Sequence, residues 1–131
     1  MEKYKYMKKF YIISNNLKDV NLSVTKQLVN ILSKKGMEYK INSMELTQKT
    51  VNMSYTNPKD VDIDTDCIIV IGGDGTLIQA SRDLKDLDIP MIGVNLGHLG
   101  FLAEIEQENL EDTLSMIIHN KYKIESRIML N

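Results

Sequence analysis

A chain of 131 residues, 43% hydrophobic and 26% charged, has the size and composition of one globular domain with its own core. Its formal charge of −2 gives no electrostatic ground for binding nucleic acid or an anionic membrane, and no apolar run approaches the roughly 20 residues that span a bilayer. The single cysteine, Cys67, excludes an internal disulfide and a cysteine-built zinc site.

The N-terminus is basic, but the apolar run behind it, Phe10 to Ile13, is too short for a signal-peptide core, so a cytoplasmic protein is expected. Lys9 to Ile13 reads as a first strand, ended by Ser14-Asn15-Asn16. Val24, Leu28, Ile31 and Leu32 then recur on one helical face, with Asn21 or Ser23 available as N-cap. Lys34 and Lys35 suit the negative end of that helix, and Gly36 fits its C′ position. Glu38 to Ile41 reads as a second, short strand. Strand, helix and strand at this spacing form a βαβ unit, which implies a parallel sheet.

Residues 42 to 60 are polar, lack a clear period and contain Asn57-Pro58, so a loop is expected. Four carboxylates follow in Asp60-Val61-Asp62-Ile63-Asp64-Thr65-Asp66, but the Gly and Glu of a calcium loop do not arrive in place. A solvated lead-in to the next strand is the better reading. Cys67 opens that strand and reads as a core thiol.

The apolar run Ile68-Ile69-Val70-Ile71 leads into Gly72-Gly73-Asp74-Gly75-Thr76, and Leu77, Ala80, Leu84 and Leu87 recur behind it at helical spacing. This predicts a buried strand, a tight turn and a helix. The glycines can adopt positive φ and let another molecule approach the backbone closely. The helix behind them opens with unpaired N–H groups and partial positive charge, which suits phosphate oxygens. A carboxylate held there can accept a proton or help hold a metal. The bland alternative is a turn needing positive φ, with Asp74 merely capping the helix. Neither the GxxxxGK[ST] loop nor the G-x-G-x-x-G fingerprint occurs in the chain.

Asp88-Ile89-Pro90 ends the helix and opens a strand at Met91 to Val94, followed by a second glycine-bearing loop, Asn95-Leu96-Gly97-His98-Leu99-Gly100-Phe101-Leu102. Leu110, Leu114, Ile117 and Ile118 mark a last amphipathic helix, with Asn109 as its expected cap. Residues 122 to 131 alternate loosely and stop on an apolar segment, so they read as the start of something cut short. The expected architecture is an open, mostly parallel α/β sheet with flanking helices. Both loops follow strands and fall at the carboxyl edge, where such sheets bind ligands.

Ile-Gly-Gly-Asp-Gly-Thr resembles a motif shared by NAD kinases, diacylglycerol and sphingosine kinases, and 6-phosphofructokinases. Asn95 to Leu102 selects among them, because it resembles the second NAD kinase motif, Asn-x-Gly-x-Leu-Gly-Phe-Leu. The order of the motifs, their separation and Arg127-Ile128-Met129-Leu130 resemble that family too. The resemblance covers the chain as the family's N-terminal α/β domain, residues 1–121, with 122–131 beginning a β-rich second domain.

That resemblance implies transfer of the ATP γ-phosphate to the 2′-hydroxyl of the adenosine ribose of NAD, giving NADP, with Mg²⁺ or another divalent cation. Some relatives accept inorganic polyphosphate. By motif, Asp74 would accept the hydroxyl proton, and Gly73, Gly75 and Thr76 would shape the cradle. Asn95, Gly97, Leu99, Gly100 and Phe101 would form the second wall, with Phe101 either against a ring of the dinucleotide or in ordinary packing. No residue is assigned as a metal ligand. His98 reads as part of the loop motif and His119 as a solvated residue at a helix end. Arg82 matches a basic residue often present in the family, whereas Gln79 stands where many relatives carry Arg or Lys.

The family's second domain supplies an Asn-Glu pair and a Thr-Ala-Tyr stretch, neither of which occurs here. The expectation is that the isolated piece folds, exposes apolar surface, and lacks kinase activity, and that the full-length protein is a homo-oligomer. Two other readings remain at this point: a lipid kinase using the same glycine turn, and a non-catalytic signalling module with Asp66 or Asp74 as phosphoacceptor.

Overall fold

The computed structural model describes residues 7–15, 19–44, 56–96, 105, 106 and 110–118. Its strands are β1 (Lys9–Asn15), β2 (Glu38–Met44), β3 (Cys67–Gly72), β4 (Met91–Asn95) and β5 (Ile105–Glu106). All pair in parallel, in one sheet of order β2-β1-β3-β4-β5. Three helices accompany them: α1 (Ser23–Lys34), α2 (Asp74–Asp83) and α3 (Leu110–Ile118). The expected open parallel α/β architecture is the observed one.

Strand residues alternate between two apolar layers, as a period of two requires when both faces are covered. Phe10, Ile12, Cys67, Ile69, Ile71, Ile92 and Val94 pack with Val24, Leu28 and Leu32 of α1 and Leu110 and Leu114 of α3. On the other face Tyr11, Ile13, Ile68, Val70 and Met91 pack with Leu77 and Ala80 of α2 and with Leu84. From β1 the chain steps outward one way to β2, and from β3 it steps the other way to β4. Right-handed crossovers then place α1 and α2 on opposite faces.

Several boundaries differ from the sequence reading. β1 does not stop at Ile13: Ser14 and Asn15 continue the ladder and are fully buried, because each has a side-chain partner below the surface. Neither Asn21 nor Ser23 caps α1. Asn21 and Leu22 both adopt left-handed backbone (φ 57° and 55°), and the carboxylate of Asp19 accepts the N–H groups of Val24 and Thr25 at 2.9 and 2.8 Å. At the other end Gly36 turns left-handed (φ 75°), as its C′ position predicts. β2 runs on to Met44, and Pro58–Asp60 forms a 3-10 turn capped by Asn57. α2 ends at Asp83, a turn short of Leu87, which is held instead by a bond from its N–H to the Leu84 carbonyl at 3.0 Å.

The acidic lead-in is tied to β1 at the amino edge of the sheet. Asp66 Oδ2 accepts the backbone N–H groups of Lys8 and Lys9 at 2.8 and 3.1 Å. The Lys9 ammonium reaches Asp62 and Asp64 at 2.8 and 2.9 Å. Cys67 is buried at the start of β3, and burial, with the Asp66 charge adding to it, pushes its thiol up to about 12.

Candidate functional site

Gly72 ends β3 and Gly73 is the N-cap of α2, so strand passes into helix without an intervening loop. The left-handed turn of the bland alternative does not form at Gly73. Gly73 is extended (φ −107°, ψ −169°), and Gly36 is the described glycine with positive φ. Space, not dihedral freedom, separates the three glycines. A Cβ built on Gly72 would lie 2.6 Å from Thr76 Oγ1 and 2.8 Å from its Cβ, so glycine here lets strand and helix close together. A Cβ on Gly73 or Gly75 would meet nothing within 4 Å. Among the described residues nothing demands glycine at those two positions, and at Gly75 the helix gives up propensity of about 1 kcal/mol relative to Ala. What the missing side chains leave is bare backbone around the first turn of α2.

Gly73 has no side chain with which to cap, so the first N–H groups of α2, from Asp74, Gly75 and Thr76, receive no N-cap side-chain acceptor. Such a helix mouth favours anionic oxygen. Its place in the sheet is equally telling. Strand order reverses between β1 and β3, and the crevice outside the carboxyl ends at such a reversal is where open α/β sheets hold ligands. Asn15 ends one of these strands and the glycine turn ends the other.

The structure brings Gly73, Asp74, Gly75 and Thr76 to this edge together with Asn95, the last residue of β4 and the register partner of Gly72. Leu96 N–H donates to the Gly72 carbonyl at 3.1 Å, so the second loop starts from the glycine turn itself. The remaining expected positions, Gly97, Leu99, Gly100 and Phe101, lie outside the described residues, as do His98, Asn109, His119 and 122–131. Arg82 is exposed farther along α2, and the Gln79 amide donates to Asp83 at 3.0 Å. Asp66 sits at the opposite, amino edge with its carboxylate engaged by backbone, so it shares no site with Asp74.

Sequence reasoning missed a buried polar cluster under this edge. Thr76, 2% exposed, accepts a hydrogen bond from Asn15 Nδ2 at 2.9 Å. Ser14, Thr25 and Asp19 form a second chain of bonds beside it. The available signal was a polar Ser14-Asn15 pair closing an apolar strand at the ligand-binding edge of a parallel sheet. A groove of about 440 Å³ between α1 and β2, lined by Leu22, Thr25, Val29, Ser33 and Ile41 among others, includes none of Gly72 to Thr76.

An open parallel sheet with an uncapped helix mouth at its order reversal is the arrangement in which α/β domains hold nucleotides and phosphates. Residues 10–122 match the model of the ATP-NAD kinase N-terminal domain. Over 125 residues the chain is 44% identical to an NAD kinase of Lachnoclostridium phytofermentans, covering 95% of this chain and 42% of that protein. A second NAD kinase, from Lachnospira eligens, is 42% identical over 127 residues, covering 95% and 43%. The chain belongs to the NAD kinase family. It is also similar in fold to a crystal structure of yeast NADH kinase complexed with NADH, at a TM-score of 0.63 and 17% identity, covering 91% of this chain and 40% of that one. The chain thus spans about two-fifths of the length of the curated relatives it matches.

Proposed function

We propose that this chain carries the phosphoryl-acceptor side of an NAD kinase site, making NADP from NAD and ATP. The observation that supports it most directly is the open backbone at Gly73 and Gly75, where no described residue accounts for glycine. Asp74, the first residue of α2, takes the proton of the ribose 2′-hydroxyl as that oxygen bonds the γ-phosphorus. The bond from phosphorus to the β,γ-bridging oxygen breaks, and ADP leaves. Gly73, Gly75 and Thr76 shape the cradle, with the first N–H groups of α2 steadying phosphate charge. Asn95, Gly97, Leu99, Gly100 and Phe101 form the facing wall. Polyphosphate is the alternative donor.

Among the described residues no three His, Cys, Asp or Glu side chains gather as a metal-holding group. Asp74 is the carboxylate of the glycine turn that would help hold Mg²⁺, with the donor's phosphates and water supplying its other ligands. Such a cation would supply positive charge against the phosphate groups during transfer.

Because the chain spans about two-fifths of its relatives, we read residues 1–121 as the N-terminal unit and 122–131 as the entry to a second, β-rich unit that completes the dinucleotide site. The 131-residue chain alone is then expected to fold without turning over, and the full-length polypeptide to form a homo-oligomer.

The test is NADP formation by the full-length polypeptide, wild type against Asp74→Asn. Loss of a general base predicts a fall in kcat of about 10²-fold or more, with NAD binding by calorimetry retained. Unchanged turnover would remove Asp74 from the chemistry. Phosphorylation of a lipid alcohol in place of NAD would overturn the acceptor, and brisk NADP formation by residues 1–131 alone would overturn the division of the site.

A further inference from the structure

We propose that Asn15 is a positioning residue for this reaction: it locks the first turn of α2, and with it Asp74, to the carboxyl end of β1. The proposal rests on the kinase reading above. Asn15 is 1% exposed, so it cannot touch a bound dinucleotide. Its amide instead donates to Thr76 Oγ1 at 2.9 Å, across the point where the strand order reverses. The same Thr76 side chain is closely backed by Gly72, where even a methyl group would fall 2.6 Å from Oγ1. Thr76 is therefore wedged between a hydrogen bond and a backbone, and Asp74 lies two residues away in the same helical turn.

Asn15 is itself held firmly. Its carbonyl accepts Asp19 N–H at 2.8 Å, and the buried Asp19 carboxylate takes the Thr25 N–H and hydroxyl at 2.8 and 2.6 Å. With the Thr25 proton committed to Asp19, the 2.7 Å contact between Ser14 Oγ and Thr25 Oγ1 must have Ser14 as donor. Ser14 thus fastens β1 to the start of α1, and Asn15 fastens it to the start of α2. Two helices on opposite faces of the sheet are pinned at the same strand end. For in-line transfer the base must sit within a hydrogen bond of the acceptor hydroxyl, and a misplacement of about 1 Å costs on the order of 10²-fold in rate.

The experiment measures kcat and KM for NAD in the full-length polypeptide, with Asn15→Ala and the milder Asn15→Ser, beside thermal stability. Expected is a fall in kcat of about tenfold to hundredfold with KM for NAD within about threefold, since the lost contact acts on the base and not on ground-state binding. A double-mutant cycle with Thr76→Val should be strongly non-additive, because both changes break one bond. Thr76→Ser, which keeps the accepting oxygen, should lose less kcat than Thr76→Val, which removes it. A bond that served stability alone would lower the melting temperature in both Asn15 variants and leave kcat of the folded enzyme within twofold; that result overturns the proposal. So does loss of kcat in Thr76→Ser equal to that in Thr76→Val, which decides the matter even where neither Asn15 variant folds. Wild type that makes no NADP would sink the kinase reading itself, a failure separate from either of these.

Discussion

At the scale of single residues, the glycines divide by what stands opposite them. Gly72→Ala drives a methyl group into Thr76, and Thr76 cannot swing aside without breaking its bond to Asn15. A loss of about 1–3 kcal/mol in denaturant unfolding is expected, as for other overpacked sites. Gly75→Ala meets open space on a helix and should gain up to about 1 kcal/mol, while NADP formation falls because the methyl group occupies the approach to the backbone. Higher stability with undiminished turnover would mean that nothing approaches there. The glycine pattern was readable in the chain, yet its reason was not: positive φ is a local property, whereas clearance from Thr76 depends on where the helix lands. Asn15 was misread for a similar cause, because a polar residue after an apolar run marks either a strand end or a buried partner, and the partner lies 61 residues away. Cys67 was legible as a core thiol. With its thiol pushed up to about 12 by complete burial, it should resist alkylation at pH 8 in the native protein and react once denaturant is added.

Among the elements, the acidic stretch before β3 acts as a latch, and this sets a pH dependence. The hydrogen bond from Lys9 holds the Asp62 carboxyl below its ordinary 3.8, and the bonds to Asp62 and then Asp64 hold the Lys9 ammonium above its ordinary 10.5. A depressed carboxyl contributes stability that is complete above 3.8 and is lost as pH falls through its lower folded value. A raised ammonium contributes below 10.5 and loses its contribution as pH rises through the folded value. Asp62→Asn should therefore melt slightly below wild type at neutral pH, with the gap closing in acid below the Asp62 range and shrinking in high salt. A gap that persists in acid would assign the difference to something other than this ion pair. The periodic helices and apolar strands were legible because burial of one face dictates their pattern. The cap of α1 was not, since Asp19 reaches forward over two left-handed residues that no N-cap rule describes.

For the molecule as a whole, parallel pairing followed from the βαβ spacing, but the order of strands did not. Nothing in the spacing says that β3 adds beside β1 on the side away from β2; covering both faces of the sheet requires it, once crossovers are right-handed. The consequence is two apolar clusters among the described residues, one on each face of the shared sheet. Ile12 belongs to the layer under α1 and α3, Ile68 to the layer under α2, and both are fully buried. Each Ile→Val change should cost about 0.5–1.5 kcal/mol. Combined, Ile12→Val and Ile68→Val should add within about 0.5 kcal/mol, because their side chains face opposite ways. Ile69 is the register partner of Ile12 in the same layer, so Ile12→Val with Ile69→Val removes neighbouring volume and should depart from the sum. Equal additivity in both pairs would mean that the layers are not packed as the register places them. Coupling between Ile12 and Ile68 would show strain passing through the sheet itself. In that case α1 and α2, fastened to the end of β1 through Ser14 and Asn15, would not be independently seated.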